Sequence, residues 1–291
     1  MLKYLWSDFM EIIIGKTAGF CFGVKNAVDN TIEELNKGEK LYCLGELVHN
    51  KQVTEELISK GVIFIDNIED AENKAIIRAH GVPACVYEKA NELQIKLKDL
   101  TCPKVLSIHK LTIKYSSENY YIFLVGQKTH PETIGTISFC GKNCSIIESL
   151  EDIGNVVEEF KKTNLKNSVV LAQTTISLEK FDNIVEELKK HIENVEVKNT
   201  ICASTRLRQE ETQEIAKKVE CMIIVGGKHS SNSNKLYEIA KKFCKNVFFV
   251  ETKDELEIKK IKYFKSIGIM AGASTPQKSV DEIVDIIKKT C

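Results

Sequence analysis

The sequence predicts an α/β protein built from three similar units of roughly a hundred residues, each a mainly parallel sheet covered by helices. Three observations lead there. Short apolar, β-rich runs alternate with amphipathic stretches along the 291 residues. Only four prolines and no low-complexity linker interrupt the alternation, so the units are expected to be compact and closely docked. Three times, a strand-like run ends in a short polar turn, a cysteine follows, and a helical pattern begins.

The elements follow in order. Residues 1–9 offer no obvious element and are expected to form a poorly packed extension, with Met10 as an alternative start. Ile12–Gly15 is the first convincing strand, and Val24–Asn36 is the helix after it. Strand Lys40–Leu44, helix Lys51–Lys60 and strands Val62–Ile65, Ala75–Ala79 and Ile95–Leu100 complete a first unit over residues 10–101. Helix Lys104–Ser116, strands Tyr120–Val125, Cys144–Ile147 and Ser168–Ala172, helix Ser177–His191 and strand Val195–Lys198 make a second over 102–200. Helix Thr205–Lys218, strand Cys221–Val225, helix Lys235–Phe243, strands Val247–Val250 and Ser266–Met270, and helix Gln277–Lys289 make a third over 201–291. Ser177–His191 illustrates the helical signal. Leu178, Phe181, Ile184, Val185 and Leu188 recur at 3/4 spacing while Glu and Lys fill the other face.

Composition narrows the function. With 41 basic and 41 acidic side chains the net charge is zero, against a bulk nucleic-acid binder or a polybasic membrane binder. No run approaches the ~18 apolar residues of a membrane span. No basic, apolar and small-residue sequence marks a signal peptide, so the chain reads as cytoplasmic. Thiols stay reduced there, and the ten cysteines are expected to be buried fillers, metal ligands or catalytic thiols rather than a disulfide framework.

Cys21, Cys102 and Cys202 share one context: each follows a strand and opens a helix, at spacings of 81 and 100 residues. A helix N-terminus stabilises a thiolate. Three such thiolates, one per unit, suit an iron–sulfur cluster with its fourth iron open, and suit structural zinc less well because local C-x₂-C pairs are missing. Cys43, Cys221 and Cys244 sit inside apolar runs and read as filler, Cys291 as a tail residue, and Cys140 with Cys144 as an isolated C-x₃-C.

Other polar groups gather at the ends of predicted strands. They are His49, Arg78-Ala-His80, His130-Pro-Glu132, Gln173-Thr174-Thr175, Ser230-Ser231-Asn232-Ser233 and Gly272-Ala-Ser274-Thr275-Pro276. Hydroxyls and amides there are expected helix caps. Collectively, with helix N-termini beside them, they suit phosphate oxygens without a Walker loop. Glu132 is the one acid among them. Neighbouring phosphate charge would raise its pKa and fit it to carry a proton.

The ordered set Ala18-Gly-Phe-Cys-Phe-Gly-Val24, Val48-His-Asn50, Arg78-Ala-His-Gly-Val82, Thr101-Cys-Pro103, His130-Pro-Glu132, Gln173-Thr-Thr175, Thr200-Ile-Cys202, Ser230-Ser-Asn-Ser-Asn234 and Gly272-Ala-Ser274 resembles the LytB family of 4-hydroxy-3-methylbut-2-enyl diphosphate reductases, from about Met10 to about Lys289. The resemblance implies three α/β domains about a pseudo-threefold axis, with Cys21, Cys102 and Cys202 holding a central [4Fe–4S] cluster, one per chain. It implies diphosphate contacts from His49, His80, His130, Ser230, Ser231, Asn232 and Ser274, with Thr174 near the substrate hydroxyl and Glu132 donating protons. His130, Thr174 and Glu132 are then the catalytic set. The implied reaction is a two-electron reductive dehydroxylation to isopentenyl and dimethylallyl diphosphate, the last step of the methylerythritol phosphate route, with electrons from a ferredoxin or flavodoxin. Two departures flank the third cysteine: Asn199 stands where the family has aspartate, and Ala203-Ser204-Thr205 where it has Tyr-Ala-Thr, while Arg208-Gln209 is kept. A non-catalytic iron–sulfur sensor and an aconitase-like dehydratase are the competing readings.

Overall fold

The computed structural model describes residues 2–6 and 10–290. The first elements are β1 (Leu2–Trp6), β2 (Met10–Ile14), α1 (Phe22–Leu35), β3 (Leu41–Leu44), α2 (Lys51–Ser59), β4 (Val62–Ile65), β5 (Lys74–Ile77), α3 (Ala84–Glu92) and β6 (Lys96–Asp99). Then come α4 (Pro103–Ser117), β7 (Tyr121–Val125), α5 (Pro131–Ile137), β8 (Cys144–Ile147), α6 (Ile153–Lys161), β9 (Ser168–Ala172), α7 (Leu178–His191) and β10 (Val195–Val197). The last are α8 (Ala203–Ala216), β11 (Cys221–Val225), α9 (Ser231–Phe243), β12 (Asn246–Val250), α10 (Ile258–Ile261), β13 (Ser266–Ala271) and α11 (Gln277–Thr290). The predicted strands all form, within two residues of their expected ends. Helices α3, α5, α6 and α10 are not among those that the sequence pattern marks. All are short, between four and nine residues, too few turns for a 3.6-residue period to stand out.

The strands make three α/β sheets, each with four parallel strands. Two run β6-β5-β3-β4 and β10-β9-β7-β8, so that in chain order the fourth and third strands precede the first and second. The remaining sheet runs β2-β13-β11-β12 and follows the same plan only if β2 serves as its fourth strand. The strand expected to open the unit over 10–101 therefore closes the sheet of β11–β13, with Ile12 beside Ile267. The repeat is circularly permuted, and a pattern read along the chain cannot reveal which sheet a strand joins.

Residues 2–6 differ from expectation as well. Where no element was expected, they pair antiparallel with β2, Leu2 opposite Ile14 and Trp6 opposite Met10. β2 would otherwise present an unpaired edge, and a short run with Tyr and Trp is apt to cover it. Cys291 lies outside the described residues.

Parallel strands must be covered on both faces, and these are. In the β7–β10 sheet, Tyr121, Phe123, Val125 and Val170 pack with Val156, Phe160, Phe181 and Leu188. Their neighbours Ile122, Leu124, Val169 and Leu171 point the other way, onto Ile108 and Tyr115 of α4. In the β11–β13 sheet, Ile223, Val225 and Ile269 face Val280, Ile283 and Ile287 of α11, while Met222 and Ile224 face Ile215 of α8 and Leu236 of α9. The two-residue strand period sorts the apolar side chains between the faces.

By contact density the chain divides into two units. One comprises Met1–Lys25, Val48–Glu55 and Ala203–Cys291, with β1, β2 and β11–β13; the other comprises Asn26–Leu47 and Glu56–Cys202, with the remaining two sheets. Among the described residues no helix is long and apolar enough to cross a membrane.

Candidate active site

Each of the three cysteines follows the fourth strand of its sheet and directly precedes or caps a helix. The backbone repeats closely. The amide of Cys21 donates to the Ala273 carbonyl at 3.0 Å, that of Cys102 to Ala79 at 3.0 Å, and that of Cys202 to Thr174 at 3.1 Å. In every case the acceptor lies just past the end of the third strand. Ten residues beyond each cysteine the helix carries a threonine, Thr31, Thr112 and Thr212, all fully buried. All three cysteines are half-buried and none is joined in a disulfide.

The approach to Cys202 explains one departure. The Asp99 carboxylate accepts the Thr101 amide at 2.9 Å, one residue before Cys102. The Asn199 side-chain oxygen accepts the Ile201 amide at 3.0 Å, one residue before Cys202. An Asx turn needs only an acceptor oxygen, so asparagine preserves the turn and removes a charge. The loop ahead of Cys21 is held differently. Arg208, buried on α8, donates to the carbonyls of Thr17 at 2.8 Å and Gly19 at 2.7 Å. Glu211, one turn on, accepts from the amides of Lys16 and Thr17 at 2.7 and 2.8 Å and from the Thr17 hydroxyl at 2.6 Å. Burial pushes the Glu211 carboxyl upward, but the hydrogen bonds from Thr17 and Lys16 outweigh it and hold the pKa below the usual range. Sequence pattern gives Arg208 no role and does not mark Glu211; charges three apart on one helix face are the signal that could have found the pair.

In the unit of Asn26–Leu47 and Glu56–Cys202, the strand ends bring His80, His130, Glu132 and Thr174 together. Glu132, in the first turn of α5, is 2 % exposed. Its carboxylate accepts the Thr174 amide and the Thr174 hydroxyl, each at 2.6 Å. Burial raises its pKa to about 7 despite those two donors, which favour the charged form. At neutral pH the acid is therefore divided between its two states. His130 caps α5, and its Nδ1 accepts the Glu132 amide at 3.1 Å. An accepting Nδ1 leaves the proton of the neutral ring on Nε2. The rings of His80 and His130 meet edge to face, 5.5 Å between centroids. His80 stands in a turn closed by the Gly81 amide on the Arg78 carbonyl, and Gly81 has φ +76°, with the His109 ring beneath it. Burial lowers the His109 pKa to about 4 and keeps that ring neutral. Thr174→Val, which removes one donor to the Glu132 carboxylate, should raise the Glu132 pKa above its present value; an NMR titration of the labelled glutamate carboxyl checks the direction.

In the other unit, Ser230 caps α9 by accepting the Ser233 amide at 3.3 Å. α9 starts at Ser231, four residues before the expected Lys235, so Ser231 and Asn232 lie in its first turn. Asn232 is 3 % exposed, and neither atom of its amide is hydrogen-bonded. A buried amide with both functions unused by the protein is costly unless a ligand or ordered water satisfies it. Ser274 donates its single proton to the His49 carbonyl at 3.0 Å, which makes it a brace for the His49 turn. A Cβ on Gly227 would stand 2.9 Å from that same carbonyl, so the turn needs glycine there.

Repeated parallel sheets with acid, imidazole, amide and hydroxyl groups at their strand ends define an α/β enzyme of the kind that takes small anionic ligands at helix N-termini. The family model described as LytB protein matches residues 12–288, and the chain belongs to that family. A 4-hydroxy-3-methylbut-2-enyl diphosphate reductase of Clostridioides difficile (strain 630) is 41% identical over 282 residues, covering 96% of this chain and 99% of the relative. The protein of that name from Aquifex aeolicus (strain VF5) is 38% identical, with 97% of each chain covered. A solved structure of the (E)-4-hydroxy-3-methyl-but-2-enyl diphosphate reductase, described as the terminal enzyme of the non-mevalonate pathway, superposes with a TM-score of 0.71 at 38% identity, over 96% of this chain and 99% of that one. The Plasmodium falciparum reductase structure gives 0.88 at 28% identity, over 96% and 87%.

Proposed function

We propose that this chain reduces 4-hydroxy-3-methylbut-2-enyl diphosphate by removing its allylic hydroxyl as water, yielding isopentenyl and dimethylallyl diphosphate. The observation that carries the mechanism is Glu132, a fully buried acid whose pKa of about 7 lets it hold a proton at working pH, gripped at both oxygens by Thr174. Cys21, Cys102 and Cys202 would hold a [4Fe–4S] cluster. The donor set fits: three half-buried thiols outside any disulfide, each directly before or at the start of a helix. When bound, the cluster supplies electrons and Lewis acidity.

The chain's own residues do the remainder. His49, His80, His130, Ser230, Ser231 and Asn232 offer hydrogen-bond donors to the diphosphate oxygens, which suits a chain of zero net charge. The unused Asn232 amide supports this reading directly. Ser274 contributes through the His49 turn. Thr174 fixes the direction of the Glu132 carboxyl, and Glu132 delivers the two protons in turn, one to the departing hydroxyl and one to carbon, recharged from solvent after each. A ferredoxin or flavodoxin is the proposed electron donor, in a cytoplasmic setting where thiols stay reduced.

The deciding experiment is anaerobic turnover of the allylic diphosphate with and without a low-potential reductant. Turnover should require the reductant. Loss of water without it would favour a dehydratase, and no turnover with an intact cluster would favour a sensor.

A further inference from the structure

Arg78 stands out in the unit that carries His80. It begins the turn that presents that histidine, and it is half-buried. Its Nε donates to the Gly81 carbonyl at 3.4 Å, across the turn from His80. Its guanidinium lies over Gly45, where a Cβ would be only 2.2 Å from Nη1. Gly45 has φ +68° and Gly81 φ +76°, so the arginine spans two turns built on left-handed glycines. Among the described residues it makes no ion pair; Glu46 and the Cys43 thiol are the acidic groups whose fields reach it. Burial lowers its pKa from the ordinary value, and burial raises that of Cys43 to about 12, so the nearby thiol stays neutral.

A half-buried guanidinium with no carboxylate at ion-pair distance is unusual, because charge removed from water is normally paired. The lysines nearest in sequence to the other strand-end groups, Lys51, Lys128 and Lys228, are exposed and already paired, with Glu55 at 3.7 Å, Asp152 at 2.5 Å and Glu255 at 2.7 Å. The residues proposed to meet the diphosphate bring hydrogen bonds but no fixed positive charge. We propose that Arg78 is the positioning residue of the His80 turn and the fixed cation for the anion that His80 binds. It would act through the turn and through its field rather than by touching the ligand. This rests on the reading that His80 contacts diphosphate.

The test is calorimetric titration of inorganic diphosphate into the cluster-loaded protein, together with steady-state kinetics on the allylic diphosphate. Arg78→Gln should weaken diphosphate about tenfold, the scale of one unit charge felt across several ångströms of protein. It should raise KM in proportion and leave kcat within about twofold. Arg78→Lys, which keeps the charge but not the guanidinium fork, should stay within about threefold of wild type. Should the glutamine variant not fold, Arg78→Met keeps the apolar stem over Gly45 and carries the same expectation. A neutral variant with wild-type affinity overturns the proposal, as does a lysine variant as weak as the neutral one. Wild-type protein that takes no diphosphate would instead bring down the reading of the His80 site on which this one stands.

Discussion

Glu132→Gln is expected to lower kcat by about 10²–10⁴-fold, the usual contribution of a positioned general acid, while KM for the allylic diphosphate changes little. The amide fills the same volume in a fully buried site and has no proton to give at any useful pH. A second consequence has a definite sign. The Glu132 pKa is raised from 4.5 to about 7 in the folded protein. Between those values the native state holds a proton that the unfolded chain has lost, so stability falls as pH rises through the window. The scale is on the order of 3 kcal/mol, from about 1.4 kcal/mol per pKa unit. Glutamine cannot titrate, so denaturant unfolding at pH 5 and pH 8 should show a smaller decline for the variant than for wild type. Equal slopes would mean that Glu132 is already charged at pH 5. Turnover in the wild type should fall above about pH 7, as the acid loses its proton.

Serine at Cys21, Cys102 or Cys202 should abolish the visible absorption of protein reconstituted anaerobically with iron and sulfide, while Cys140→Ser should retain it. The hydroxyl of serine is a far poorer ligand for iron–sulfur clusters than a thiolate. The contrast has a structural basis. Cys140 is buried beside Cys144, and both the Cys144 sulfur, which favours the protonated Cys140 thiol, and burial push its pKa up, against the thiolate a metal requires. Loss of the absorption in the Cys140 variant, with retention in the other three, would reverse the assignment.

Much of the candidate site is legible in the order of the amino acids. Local signals alone place the histidines, hydroxyls and cysteines at strand ends, and β4, β8, β9 and β11 have the bounds that their apolar runs suggest. Short helices are harder to read. α5 has only seven residues and carries Gly135, a residue that weakens a helix and blurs its signal. The sequence pattern starts α9 too late because Ser231, Asn232 and Ser233 resemble a polar loop; the cap on Ser230 makes them a first turn.

The sequence by itself determined the α/β class, the parallel sheets, the repeated strand–cysteine–helix step and the chemical character of the site, because each follows from local periodicity and residue type. Only the tertiary structure decided that β2 completes the sheet of β11–β13, that Arg208 and Glu211 clamp the loop before Cys21, and that Thr174 seizes both oxygens of Glu132. Those outcomes join residues 42 to more than 200 positions apart. Their energies come from burial and from hydrogen bonds strengthened away from water, and neither exists until the chain has closed.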